Sequence, residues 1–170
     1  MPEPCRKNPS LSPHPCPDGT LGQLGIGAAV EALADRVETP KLEIRTTVEL
    51  AVLEGRLQAR LDGEREVAIY RIVEAAIDNC ARHAGASRAS AEVIEREDRG
   101  EVTITVRDDG RGFDPAIEAE GSGLRAMRER VELLGGSIEI RTAIDEGTVV
   151  SAVLPSARGV SVAPSDSACR

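Results

Sequence analysis

The sequence predicts an α/β (α+β) two-layer arrangement: one mixed or antiparallel sheet with helices packed on one of its faces. Three observations carry that reading. Two pairs of strand-like segments are each joined by a short polar turn; helical segments stand before and between those pairs; and no βαβ unit or internal repeat is visible. A chain of 170 residues, 41% of them hydrophobic, suits one domain with tails.

In chain order, residues 1–20, "MPEPCRKNPSLSPHPCPDGT", are rich in Pro, Ser and charge and are expected to be disordered. Residues 156–170 have the same character, which leaves 21–155 as the folded domain. "LGIGAAVEALADRV" puts Ile26, Val30, Leu33 and Val37 at helical spacing, and "KLEIRTTV" then alternates like a strand. From about Glu64 to His83 a second helix is predicted, with Ile69, Val73, Ala76 and Cys80 along one face. The strands "ASAEVIE" and "EVTITVR" are joined by "REDRG", with Val102, Ile104 and Val106 pointing one way and Thr103, Thr105 and Arg107 the other. After the acidic "DPAIEAEGSG", a third helix buries Leu124, Met127, Val131 and Leu134 and ends at Gly135 and Gly136. A last hairpin, "SIEIRTAI" with "TVVSAVLP", turns through Asp145 to Gly147.

Composition narrows the function. A net charge of −8, with Tyr70 and Phe113 as the only aromatics, argues against a nucleic-acid partner, which needs a basic face and stacking rings. The opening residues have no apolar signal core and no segment approaches bilayer length, so a cytoplasmic protein is expected. Cys5, Cys16 and Cys169 lie in the tails and Cys80 in a helix; without a CxxC pair, free thiols are expected.

Three stretches could carry chemistry. At the end of the second helix Asn79, Arg82 and His83 stand at i, i+3 and i+4, sharing a face that suits a magnesium-bound polyphosphate or, equally, a solvated helix end. In "VRDDGRGF", Asp108 can accept from a ligand donor and Gly110 and Gly112 can let a flat ligand approach the backbone, although Asp-Gly also marks ordinary turns. In "EGSGLRAMRER", Gly121 and Gly123 lead into a helix whose first N–H groups can receive phosphate. A P-loop is excluded because GxxxxGK[ST] is missing, and "GSGLRA" lacks the preceding strand of a dinucleotide fold.

Read in order, "YRIVEAAIDNCARHA", "VRDDGRGF", "GSGLRAMRERVELLGG" and "GTVVSAVLP" resemble the N box, the two glycine boxes and the final strand of the histidine-kinase ATP-binding domain. The resemblance runs from about Leu21 to Pro155 and is strongest to sensor kinases of the nitrate-sensor type. It implies the Bergerat fold shared with gyrase and certain chaperone ATPases, with ATP and Mg2+ as cofactors. It implies that Asn79 holds magnesium while Arg82 and His83 face the phosphates. By the same resemblance Asp108 accepts from the adenine amine, Gly110 and Gly112 admit the ring, Gly121 and Gly123 wrap the phosphates beside Leu124, and Thr148 supports the base. The partners implied are a histidine-bearing dimerisation hairpin and a response regulator.

The chain departs from that pattern at two positions. The family's Glu, four residues before the N-box Asn, is here Ala75, and Glu74 lies about 100° away on the helical wheel. Glu74 and His83 are nonetheless the candidate catalytic residues. Ala126 replaces a glycine of the second glycine box. No acceptor histidine is expected in the chain, because His14 sits among prolines and His83 belongs to the nucleotide site. The leading expectation is an ATP-binding catalytic domain acting on a histidine elsewhere; the alternatives are an anti-sigma-type serine kinase and a nucleotide-binding module without transfer activity.

Overall fold

The computed structural model describes residues 17–50, 61–114 and 122–156. Of the tails expected at 1–20 and 156–170, residues 1–16 and 157–170 lie outside the described residues, as does Gly121. The first helix, α1 (Pro17–Val37), starts four residues before the domain boundary expected at Leu21, and Gly25 (φ 78, ψ 170) breaks it into two segments. Ile26, Val30 and Leu33 are buried, as their spacing requires.

Strand β1 (Glu43–Glu49) follows, and then α2 (Gly63–Asn79), whose first turn is capped by Asp62 accepting from the Arg65 N–H at 2.8 Å. The helix does not run on unchanged to His83: residues Cys80–Ala84 form a π-helical turn that closes on left-handed Gly85. Strands β2 (Arg88–Arg96) and β3 (Glu101–Asp108) form the first predicted hairpin. Helix α3 (Ser122–Leu133) ends in a turn through Gly135 (φ 71), and β4 (Ser137–Thr142) and β5 (Thr148–Pro155) form the second hairpin.

The sheet order is β1-β2-β3-β5-β4. Only β1 and β2 are parallel; the other pairs are antiparallel, so the sheet is mixed. Register aligns Ala91, Val106, Val150 and Ile140 in one cross-strand row and Val93, Ile104, Ala152 and Ile138 in the next. These rows face the helices, and with Ile69, Ile72, Val73, Ile77, Met127 and Val131 they make one core. Each fully buried aliphatic side chain there contributes roughly 1.5–3 kcal/mol of transfer free energy. The opposite face carries Thr103, Thr105, Arg107, Glu92, Ser151, Glu139 and Arg141, matching the alternation of the sequence. Among the described residues no helix is long and apolar enough to cross a membrane.

Register also places the site. Asp108, the last residue of β3, is level with Thr148, the first of β5, and with Ala89 near the start of β2. The helix side of this sheet end faces the π turn.

Candidate functional site

A cavity of ≈ 690 Å³ opens between α2, the π turn, the start of α3 and the ends of β3 and β5. Its inner part is lined by Ala76, Cys80, Val106, Asp108, Thr148 and Val150; towards solvent stand Asp78, Asn79, Arg82, His83, Arg111, Gly123 and Leu124. An apolar slot with one buried carboxylate therefore opens into a polar, cation-bearing mouth, the usual form of a small-molecule site.

Asp108 is 7% exposed. Its Oδ1 accepts from the Gly110 N–H at 2.8 Å and its Oδ2 from the Cys80 thiol at 3.4 Å. Burial, with the Asp108 carboxylate beside it, pushes the Cys80 thiol far above the usual range, so it stays protonated. The expectation that Cys80 is core is met, yet it also touches the one carboxylate of the slot, which periodicity could not indicate.

The two glycines after Asp108 need a different explanation from the expected one. A Cβ on Gly110 would lie 2.5 Å from the Ala84 carbonyl oxygen, and one on Gly112 (φ 56) would collide with the carbonyl of Ala143. What they admit most directly is the protein's own backbone, not the ligand ring. The loop is fixed on both sides: the Arg111 N–H donates to Ala84 O at 2.8 Å, and the Asp145 N–H donates to Arg111 O at 2.6 Å. Gly112 also lines the cavity, whereas Gly110 is not among its lining residues.

Asp109 faces away from the slot and holds the loop leading into β2. It accepts from the Ser87 and Arg88 N–H groups at 2.8 Å each and from Ser87 Oγ at 2.8 Å. These donors, led by the Arg88 N–H, hold its carboxyl down at about 2. Thr148 is joined to Thr142, their hydroxyl oxygens 3.3 Å apart, and the Phe113 N–H donates to Thr142 Oγ1 at 3.0 Å. Thr142, Arg111 and Phe113 were not singled out in the sequence because each acts through contacts distant along the chain.

At the mouth, the predicted triplet Asn79, Arg82 and His83 does line one cavity, although the π turn has replaced the helical geometry on which the prediction rested. The Asn79 side-chain amide makes no hydrogen bond among the described residues, and a Cβ on Gly123 would stand 3.7 Å from its Oδ1. The N-terminus of α3 thus approaches Asn79. Arg82 is paired with Asp78 at 3.2 Å, whereas the Arg111 guanidinium has no carboxylate partner among the described residues.

Glu74 requires a correction. Its carboxylate is turned from the cavity into a pair with Arg71 at 2.7 Å and Arg36 of α1 at 3.7 Å. A catalytic role for it does not fit this position, because the helical offset from Asn79 leaves it facing α1. Ala75 is half-buried and packs against the core.

Residues 64–158 match the family model described as histidine kinase-, DNA gyrase B- and HSP90-like ATPase. The chain belongs to this family. It is 37% identical over 91 residues to the signal transduction histidine-protein kinase/phosphatase DegS of Brevibacillus brevis, covering 53% of this chain and 23% of that protein. It is 33% identical over 139 residues to the sensor histidine kinase MctS of Rhizobium johnstonii, covering 79% of this chain and 28% of that one. The fold matches the histidine kinase domain of the blue-light activated histidine kinase of Erythrobacter litoralis EL346, with a TM-score of 0.61 at 21% identity, over 78% of this chain and 59% of that one. The chain spans about a quarter of the length of the curated relatives it matches. What it carries is the ATP-binding catalytic domain of the histidine-kinase family.

Proposed function

We propose that the cavity binds Mg-ATP with adenine against Asp108 and the phosphates at Asn79, Arg82, His83 and Arg111. In this reading the domain serves a sensor kinase of the nitrate-sensor type. It would pass the γ-phosphoryl group to a histidine on a dimerisation hairpin in a separate domain or chain, from which a response regulator would take it. The observation that carries this is the polarity of one cavity. A single buried carboxylate, suited to an exocyclic amine, stands at the closed end, and an amide unbonded among the described residues, two guanidinium groups, an imidazole and a helix N-terminus stand at the open end. Gly123 and Leu124 would flank the phosphates, with Gly121 assigned to the same role by sequence, and Thr148 would support the base. Placement in the cytoplasm, where ATP is held, belongs to the same proposal.

The Asn79 amide, unbonded among the described residues, fits magnesium, which retains most of its waters and needs few protein ligands, and the ion would supply neutralisation of phosphate charge. Arg111 and His83 would hold the equatorial oxygens as charge develops there; Arg82 would exchange Asp78 for phosphate. In the transfer itself a nitrogen–phosphorus bond forms to the acceptor imidazole while the bond from the γ-phosphorus to its bridging oxygen breaks, leaving ADP. The displaced imidazole proton passes to solvent or a base.

That last requirement favours one second reading. Position 75 is Ala and Glu74 is engaged with Arg36 and Arg71, so no carboxylate of α2 at these two positions faces the reacting phosphate. A nucleotide-binding regulatory module without transfer activity accounts for that arrangement. The deciding experiment adds γ-labelled ATP and magnesium to the chain with, in separate arms, an isolated dimerisation hairpin or a serine-bearing anti-sigma antagonist. Label on the hairpin histidine supports transfer; label instead on a serine-bearing anti-sigma antagonist would make the domain a serine kinase; tight binding with neither product establishes the regulatory module.

A further inference from the structure

Cys80 is 4% exposed, lines the cavity, and lies 3.4 Å from Asp108 Oδ2 and 3.1 Å from the Ala76 carbonyl oxygen. A thiol has one proton, so it can serve only one of these acceptors at a time. The Ala76 carbonyl already receives the backbone N–H of Cys80 itself, whereas Asp108 Oδ2 has no other donor among the described residues. A carboxylate is also the stronger acceptor, because the bond is charge-assisted.

We propose that Cys80 is a positioning residue for base recognition: its S–H donates to Asp108 Oδ2 and, with the Gly110 N–H on Oδ1, fixes the carboxylate so that its remaining lone pairs meet the exocyclic amine of adenine. This rests on the reading of Asp108 as the adenine acceptor. A carboxylate held by one donor alone can rotate about its terminal torsion, which is broad. With a donor on each oxygen, the plane of the group is set before the base arrives, and the ordering cost on binding falls. The thiol suits the task because it donates weakly and leaves the carboxylate's acceptor strength for the ligand.

The test uses the full chain with Cys5→Ser, Cys16→Ser and Cys169→Ser, so that the infrared S–H stretch reports Cys80 alone. Adding Asp108→Asn should shift that band; an unmoved band would place the proton on Ala76 and overturn the proposal without a ligand being present. In calorimetry, Cys80→Ala should weaken ATP binding about 3- to 10-fold, the worth of one ordinary hydrogen bond. It should also reduce the preference for ATP over inosine triphosphate, which carries an oxygen in place of the amine. Cys80→Ser should restore both. If serine is as poor as alanine, or if the preference for ATP is unchanged, the side chain serves packing only and the proposal fails. Failure of the parent chain to prefer ATP over inosine triphosphate would instead sink the adenine reading itself. Should Cys80→Ala not fold, the infrared comparison and the serine variant still decide.

Discussion

The two ends of the cavity are built on different terms. At the closed end Asp108, Thr148 and Val150 come from strand ends and Cys80 opens the π turn, and Asp108 is oriented by donors on both oxygens. At the open end Asn79 closes α2, Arg82 and His83 stand on the π turn and Arg111 on a loop, with Asn79 unbonded among the described residues and Arg82 paired to Asp78 across two partly exposed side chains. On the proposed reading, a base-recognising end can be made in advance because its ligand is flat and weakly polar. A phosphate end holding unpaired charge in advance would repel itself, which accounts on that reading for cations left in water or on a neighbouring carboxylate.

The largest expected change strikes the open end. Ala75→Glu returns a carboxylate one helical turn before Asn79, and should raise transfer to an added hairpin by about 10²- to 10⁴-fold, the usual contribution of a positioned acid or base, with ATP affinity changed only a few fold. A folded, ATP-binding variant with no gain would mean that this end serves binding alone. Asp108→Asn breaks the closed end: the amide presents the wrong atoms to the adenine amine, and losing a hydrogen bond to a charged group costs about 1.5–3 kcal/mol, or roughly 10- to 150-fold in ATP affinity by calorimetry. Tripolyphosphate binding should be untouched by it, and unchanged ATP affinity would refute the base assignment. Asn79→Ala should cost about tenfold in affinity with magnesium and little in chelator. Equal losses would mean a damaged helix, not a lost metal contact.

The smallest effect concerns Asp109, which supports the closed end without touching it. Its carboxyl is depressed to about 2, so its contribution to stability is complete above the unfolded value near 4 and is lost as pH falls toward 2. With about a third of the side chain exposed, that contribution is below about 1 kcal/mol after screening. Urea unfolding of Asp109→Asn and the parent should differ at pH 7 and converge as the pH drops through this window; a constant difference would remove the linkage.

Much of this was legible because the signals are local. Val102, Ile104 and Val106 alternate, Met127 and Val131 recur at helical spacing, and both hairpins carry their own turns. The order of four motifs points to Asn79, Arg82, His83, Asp108 and Thr148, and these five line one cavity. What escaped depends on partners far along the chain. The glycines at 110 and 112 answer to Ala84 and Ala143, Glu74 answers to Arg36, and Cys80 meets Asp108 only once α2 lies on β3. The π turn escaped for another reason: a 3.6-residue period cannot register one inserted residue at a helix end.

The loop clamped between Ala84 and Asp145 also tells an experimenter where a probe should sit. The β4–β5 turn exposes Ile144, an inviting site for a dye or an epitope tag, yet this turn braces the backbone of Arg111 and Gly112. A label there would report on the cavity while distorting it. Asp98, exposed in the β2–β3 turn at the other end of β3, lies roughly 23 Å away by strand rise and can carry a reporter silently. A fluorophore at Asp98 and a second on the nucleotide would therefore measure occupancy by energy transfer in an otherwise undisturbed domain.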